Sequence, residues 1–161
     1  MRLALAGDTM LGRGVARELA KRPLQSIVSP EIAELTRAAD LCIVNLECCI
    51  SERGEPVPKV FNFRAPPLAV ETLVHLGVDC VLLANNHVLD YGIEALLDTL
   101  AHLREAGIRW AGAGETVEQG AGAGRPRGPA DRRLRRPCGR LRRRPGPARD
   151  RLRRYSGRSS S

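Results

Sequence analysis

Cys80-Val81-Leu82-Leu83-Ala84-Asn85-Asn86-His87-Val88-Leu89-Asp90-Tyr91-Gly92 is the stretch that sets the fold. Its first four residues form an apolar run of strand length. Its last residue opens a helical pattern that continues from Ile93 to Leu103. Two amides, an imidazole and a carboxylate therefore stand where a strand ends and a helix begins, the place where open α/β sheets bind ligands. Amide oxygens and imidazole nitrogens are metal ligands or hydrogen-bonding groups, and a dry core has no use for them without partners. A polar turn capped by Asn and Asp reads Ala84 to Gly92 equally well.

Two further strand ends favour the first reading. Arg2-Leu3-Ala4-Leu5-Ala6 leads into Gly7-Asp8-Thr9-Met10 and on to Arg13. Leu41-Cys42-Ile43-Val44 leads into Asn45-Leu46-Glu47. Asp8, then Asn45 and Glu47, then Asn85, Asn86 and His87 thus arrive in order at the ends of three apolar segments. Hard oxygen donors converging with one imidazole point to divalent-metal and phosphate chemistry. Arg13 and Arg64 are candidate phosphate contacts, because a guanidinium matches phosphate in a bidentate way. The competing reading of each arginine is a solvated surface charge.

The order of elements is read as β-α-α-β, an extended loop, then α-β-α-β. Strands are expected at 2–7, 41–45, 79–84 and 108–111, and helices at 11–21, from Ser29, at 66–76 and at 92–105. Ser29-Pro30 supplies a cap and a first-turn proline, and Ile32 and Leu35 are expected to form that helix's apolar side. Ile93, Leu96, Leu97, Leu100 and Leu103 recur with a 3.6-residue period, and Gly107 ends the pattern. Residues 50–64, with Gly54, Pro56 and Pro58, read as a loop or hairpin rim. Alternating strands and helices imply an α/β fold with a mostly parallel sheet and right-handed crossovers. Gly112-Ala113-Gly114 is a tight turn rather than a phosphate loop, since no Lys-Ser/Thr follows.

Gly7-Asp8-Thr9-Met10 with Arg13, Asn45-Leu46-Glu47, and Ala84-Asn85-Asn86-His87 with Asp90 and Gly92 resemble the CapA-type capsule-synthesis family of the calcineurin-like metallophosphatase superfamily. Phe61-Asn62-Phe63-Arg64-Ala65-Pro66, Gly77-Val78-Asp79 and Ala111-Gly112-Ala113-Gly114 are similar to the same family. The resemblance covers about residues 2–118. It implies part of a metallophosphatase-like α/β sandwich, an association with poly-γ-glutamate biosynthesis, and metal-dependent phosphoester hydrolysis in the intact form. It implies Asp8 on one metal, Glu47 between or near the metals, and Asn86 on the second. His87, with Asp90, is implied to face the departing ester as general acid or charge stabiliser. Asn45, Asn85, Arg13 and Arg64 are the implied substrate contacts. The cofactor would be a divalent metal (Mn, Mg or Fe/Zn) and the substrate a phosphoester or a polyglutamate-related molecule. The family draws further histidine ligands from its second half, and no histidine follows His102 here. The metal site is therefore expected to be incomplete and the chain inactive by itself. Two readings of a different class stand beside this one: a non-catalytic binding or scaffold component of polyglutamate synthesis or export, and a nonfunctional fragment.

Residues 120–161 differ in kind. They hold fifteen arginines against Asp131 and Asp150, a net +13, whereas residues 1–119 carry eleven Lys/Arg against sixteen Asp/Glu, a net −5. The basic balance of the chain is a property of this tail and says nothing about the domain's partners. Abundant proline and only Leu134, Leu141 and Leu152 predict a segment without a core, so 119–161 is read as a disordered tail after a 1–118 domain. Two readings of it stand: out-of-frame translation of GC-rich codons, or a basic tether binding nucleic acid without sequence preference. No specific nucleic-acid reader is expected.

His75 and His102 read as structural, the first favoured by a helix C-terminus, the second in an i,i+4 pair with Asp98. Cys42, Cys48, Cys49, Cys80 and Cys138 lack metal spacing, and Cys42 and Cys80 fall in expected strands as small hydrophobes. No apolar leader or membrane segment is visible, which reads as cytoplasmic as written, and membrane-associated or extracytoplasmic if the true start lies upstream.

Overall fold

The computed structural model describes residues 1–24 and 27–121 and the backbone of 123–124. Of the tail expected to be disordered from 119 on, residues 119–121 fall in a short helix and 123–124 in a short strand, and the rest lies outside this described set. The elements in order are β1 (Leu3–Thr9), α1 (Arg13–Leu19), α2 (Pro30–Arg37), β2 (Leu41–Leu46), β3 (Cys49–Ile50), β4 (Arg64–Ala65), α3 (Ala69–His75), β5 (Cys80–Leu82), α4 (Gly92–Glu105), β6 (Arg109–Ala111), α5 (Val117–Ala121) and β7 (Ala123–Gly124). The fold is α/β: a five-stranded sheet in the order β1-β2-β5-β6-β7, parallel except for the antiparallel pairing of β7 with β6.

Register explains which residues form the core. Ala6, Val44, Val81 and Trp110 lie in one row across the sheet, and Leu5, Ile43, Cys80 and Arg109 in the next. Successive side chains alternate faces. Val44, Val81 and Trp110 are buried with Cys42, Leu46 and Leu83, in one cluster with Leu19 of α1, Leu73 of α3 and Leu96, Leu100 and Leu103 of α4. Leu3, Leu5 and Leu82 are exposed, Leu5 at 71%. The topology accounts for this. Each parallel crossover from β1 to β6 steps to the next strand in the same direction, and right-handed connections then place their helices on one face.

Capping residues set several boundaries. Ser29 Oγ accepts the Ile32 N–H at 3.4 Å with Pro30 in the first turn of α2. α4 spans the expected residues, and Gly107, at φ 71°, turns the chain so that the Ile108 N–H reaches Leu103 O at 2.9 Å.

Three expectations are corrected. Ile32 and Leu35 do not form a packed side of α2: both are exposed, Leu35 at 68%, and Ala33 is the residue this short helix buries. Ile93 and Leu97 likewise stay exposed at the edge of the α4 stripe. Residues 50–64 are not a hairpin. β3 and β4 pair in parallel, because a bulging loop carries the chain out and back in the same sense before it rejoins at Arg64. Asp98 is held by the Ser51 hydroxyl at 2.6 Å and by the Arg53 guanidinium, and its carboxyl sits at about 2; His102 adds only its charge. No helix among the described residues is long and apolar enough to cross a membrane.

Candidate functional site

The parallel strands β1, β2 and β5 end together, so their C-terminal residues meet. β1 runs through Asp8 with a register shift between Ala6 and Asp8, which sets Asp8 opposite Asn45. Asn45 Nδ2 donates to Asp8 Oδ1 at 2.8 Å, and Asn85 Nδ2 donates to Asn45 Oδ1 at 3.1 Å and to Leu46 O at 2.9 Å. Asn85 Oδ1 then accepts the His87 N–H at 3.0 Å. A chain of amides thus links all three strand ends and leaves the carboxylates at one side of it.

Glu47 follows β2 directly. Partial burial and a hydrogen bond with the neighbouring Asp8 carboxyl, together with that group's charge, raise its carboxyl above the ordinary range, and the nearby His87 opposes the shift. A cation bound beside Glu47 would relieve the charge of its acidic neighbour.

His87 and Asp90 form the second half of the site. His87 Nδ1 lies 2.7 Å from Asp90 Oδ2. Asp90 is only 1% exposed. Burial alone would raise its carboxyl, but Lys59, His87 and the Phe63 N–H together outweigh burial and hold it below the usual range. The Lys59 ammonium is 2.5 Å from Asp90 Oδ1, 2.7 Å from Asn86 O and 3.4 Å from His87 Nδ1. Phe63 donates its N–H to Asp90 Oδ2 at 2.6 Å and stacks its ring on His87 with centroids 4.0 Å apart. The Val57 N–H reaches Asp90 O at 2.9 Å. The rim loop is therefore a strap across the Asn86–Asp90 turn. Gly54 allows the close approach: its φ is 84°, and a Cβ there would meet Tyr91 O at 2.0 Å.

The structure brings together Asp8, Asn45, Glu47, Asn85, His87 and Asp90. Asn86 follows Asn85 with an exposed side chain, and its carbonyl is the group that Lys59 holds. Arg13 is exposed in the left-handed region at φ 51°, its guanidinium 5.5 Å from the Phe61 ring and 5.8 Å from the Phe63 ring. A non-glycine residue there is strained, which marks a positioned side chain. Arg64 is engaged elsewhere: its guanidinium lies 4.1 Å from the Tyr91 ring and donates to Arg53 O and Gly54 O. Those contacts tie down the strap. Among the described residues no group of three or more His, Cys, Asp and Glu side chains is gathered for a metal. Cys48 and Cys49 lie next to Glu47, but burial pushes their thiols up to about 12 and about 11, so they behave as apolar side chains.

Lys59 is the functional residue that sequence reasoning missed. One signal pointed to it: Lys21 and Lys59 are the only lysines in a chain that otherwise uses arginine.

Comparison with known proteins identifies the family. The family model described as bacterial capsule synthesis protein PGA_cap matches residues 2–123. A probable polyglutamine synthesis accessory protein of Mycobacterium tuberculosis is 44% identical over 78 residues, 48% of this chain and 20% of that protein. The capsule biosynthesis protein CapA of Bacillus anthracis is 27% identical over 120 residues, 72% of this chain and 29% of that protein. The PGA biosynthesis protein CapA of Bacillus subtilis is 26% identical over 116 residues, 71% of this chain and 30% of that protein. The chain spans under a third of the length of these relatives. With the family model matching most of its length, this chain belongs to the bacterial capsule synthesis protein PGA_cap family.

Proposed function

We propose that the strand-end site binds a hard divalent cation and, through it, a phosphoester or polyglutamate-related anion. In the longer proteins of this type the same residues would serve metal-dependent phosphoester hydrolysis within poly-γ-glutamate capsule synthesis. The observation that carries the reading is the convergence of strand ends: Asp8 lies opposite Asn45 and is held by its amide, Asn85 holds Asn45 in turn, and Glu47 follows two residues on, close enough for the Asp8 charge to raise its carboxyl. Asp8 and Glu47 are hard oxygen donors of the kind that suit Mn²⁺ or Mg²⁺, and the exposed Asn86 side chain beside Asn85 could add an amide oxygen. When bound, the metal supplies Lewis-acid polarisation of a phosphoryl oxygen and lowers the pKa of a bound water.

The chain's own residues do the rest. Asn45 and Asn85 hold Asp8 and the His87 backbone in place. Asp90 Oδ2 accepts the hydrogen bond of His87 Nδ1–H, so a proton gained by the ring goes to Nε2 and can be handed from there to a departing alkoxide oxygen. Arg13, its guanidinium 5.5 Å from the Phe61 ring and 5.8 Å from the Phe63 ring, offers a positive charge beside this stack for an anion. Arg64 serves the strap instead.

A non-catalytic role in polyglutamate binding or export is the second reading, and it draws on the same strand-end cluster without turnover. Titration calorimetry of the full chain with Mn²⁺ tests the proposal. Weak binding is expected, lost mostly in Asp8→Ala and Glu47→Ala and kept in His87→Ala. Equal affinity of the wild type and Asp8→Ala would sink it.

A further inference from the structure

The strap brings one side chain into the site from outside the three strand ends. Lys59 lies 28 residues before His87 and 31 before Asp90, yet its ammonium touches both of them and the Asn86 carbonyl. We propose that Lys59 is a positioning residue: it holds the Asp90 carboxylate by the oxygen that His87 does not use, and so fixes the His87 ring as its Nδ1–H tautomer, with the lone pair on Nε2.

Three observations support this. Asp90 divides its two oxygens between partners: Oδ1 takes Lys59 at 2.5 Å, while Oδ2 takes Phe63 N–H at 2.6 Å and His87 Nδ1 at 2.7 Å. A buried carboxylate needs a counter-charge as well as hydrogen bonds, and Lys59 is the cation in contact with it. Without Lys59, Asp90 turns to water or takes a proton, and in either case it stops accepting steadily from Nδ1. Finally, the ring cannot find another pose at leisure, because Phe63 stacks on it with an interplanar angle of 20°. The tautomer of a histidine is set by the partner of its other nitrogen, and here that partner is itself set by Lys59.

The value of this arrangement to a ligand rests on the cation site proposed above, but the tautomer does not. The test is therefore made on the free chain. Long-range ¹H–¹⁵N spectra of the full chain, with labelled histidine, are recorded above the ordinary imidazole range so that the rings are neutral. The His87→Gln spectrum assigns the signal against His75 and His102. Wild type and Lys59→Arg should show the Nδ1–H pattern. Lys59→Met should show both tautomers, and Asp90→Asn, whose amide donates to the ring, should show Nε2–H. If Lys59→Met does not fold, Lys59→Gln decides by the same spectra, since it keeps a donor and removes the charge. A Lys59 variant that folds with the Nδ1–H pattern intact, and only a lower unfolding temperature, would mean that Lys59 merely staples the strap. A wild-type Nδ1–H pattern lost with Lys59 in a chain that shows no affinity for Mn²⁺ would uphold the clamp and remove the cation reading. Mn²⁺ affinity with unchanged tautomers would do the reverse.

Discussion

Val44, Val81 and Trp110 lie in one row across the sheet and are buried, whereas Leu5, Ile43 and Cys80 lie in the adjacent row and are partly or largely exposed. From β1 to β5 the two rows are similarly apolar, and they part at β6, where Trp110 continues the first and Arg109 the second. What separates them is the order of the strands, which sends α1, α3 and α4 to a single face. Parallel sheets are ordinarily covered on both faces. Burial here is thus decided by connectivity, and apolar character alone predicts it poorly. The strand ends lie at the border of these two surroundings. There the core side holds the backbone in register and the polar side carries Asp8, Asn45 and Glu47.

The largest effect should come from the covered face. Leu100 is fully buried between α4 and the sheet. Leu100→Ala is expected to cost about 3 kcal/mol, by lost transfer energy and the cavity left behind. Urea unfolding would show it, and a loss under about 1 kcal/mol would mean that the core is not packed as described.

An intermediate effect belongs to the network that ties the strap to α4. Asp98, at about 2, has a folded value below its ordinary 3.8, so its contribution is present above pH about 4 and disappears as the pH falls toward 2. Asp90 acts in the same direction. Asp98→Asn should therefore destabilise less than Leu100→Ala at neutral pH and flatten the acid side of the stability curve. An unchanged acid limb would contradict the Arg53 and Ser51 pairing. Glu47 has the opposite sign: its folded value is raised, so the metal-free chain loses stability as the pH rises through it, and Glu47→Gln should raise the unfolding midpoint slightly at neutral pH.

The smallest effect should come from the bare face. Leu5→Thr keeps β propensity and removes little buried surface, so a change within about 0.5 kcal/mol is expected. A loss matching that of Leu100→Ala would show that the bare face is covered in solution.

Much of this was legible in the sequence, and for identifiable reasons. α4 declared itself because five apolar residues repeat every 3.6 positions before Gly107, and α2 started where Ser29-Pro30 said it would. The strand ends were legible because short apolar runs stop at Asp8, Asn45 and Asn85. The strap was not. Its structure comes from contacts distant in sequence, such as Val57 with Asp90 and Lys59 with Asp90, and no local period encodes them. Lys59 was missed for the same reason. Ile32 and Leu35 misled because an apolar stripe predicts a covering partner without showing that one is present. Arg64 misled because a guanidinium suits a carbonyl pair and an aromatic ring as well as a phosphate.

The central claim is that a cation site stands at the ends of β1, β2 and β5. The most direct measurement is Mn²⁺-induced broadening of the backbone amide resonances of the full chain. The account predicts selective loss of signal around Asp8, Asn45, Glu47 and Asn85 to His87, with Thr99 to Glu105 in α4 unaffected, and little broadening anywhere in Asp8→Ala. Broadening centred on other residues, or equally strong in Asp8→Ala, would contradict it.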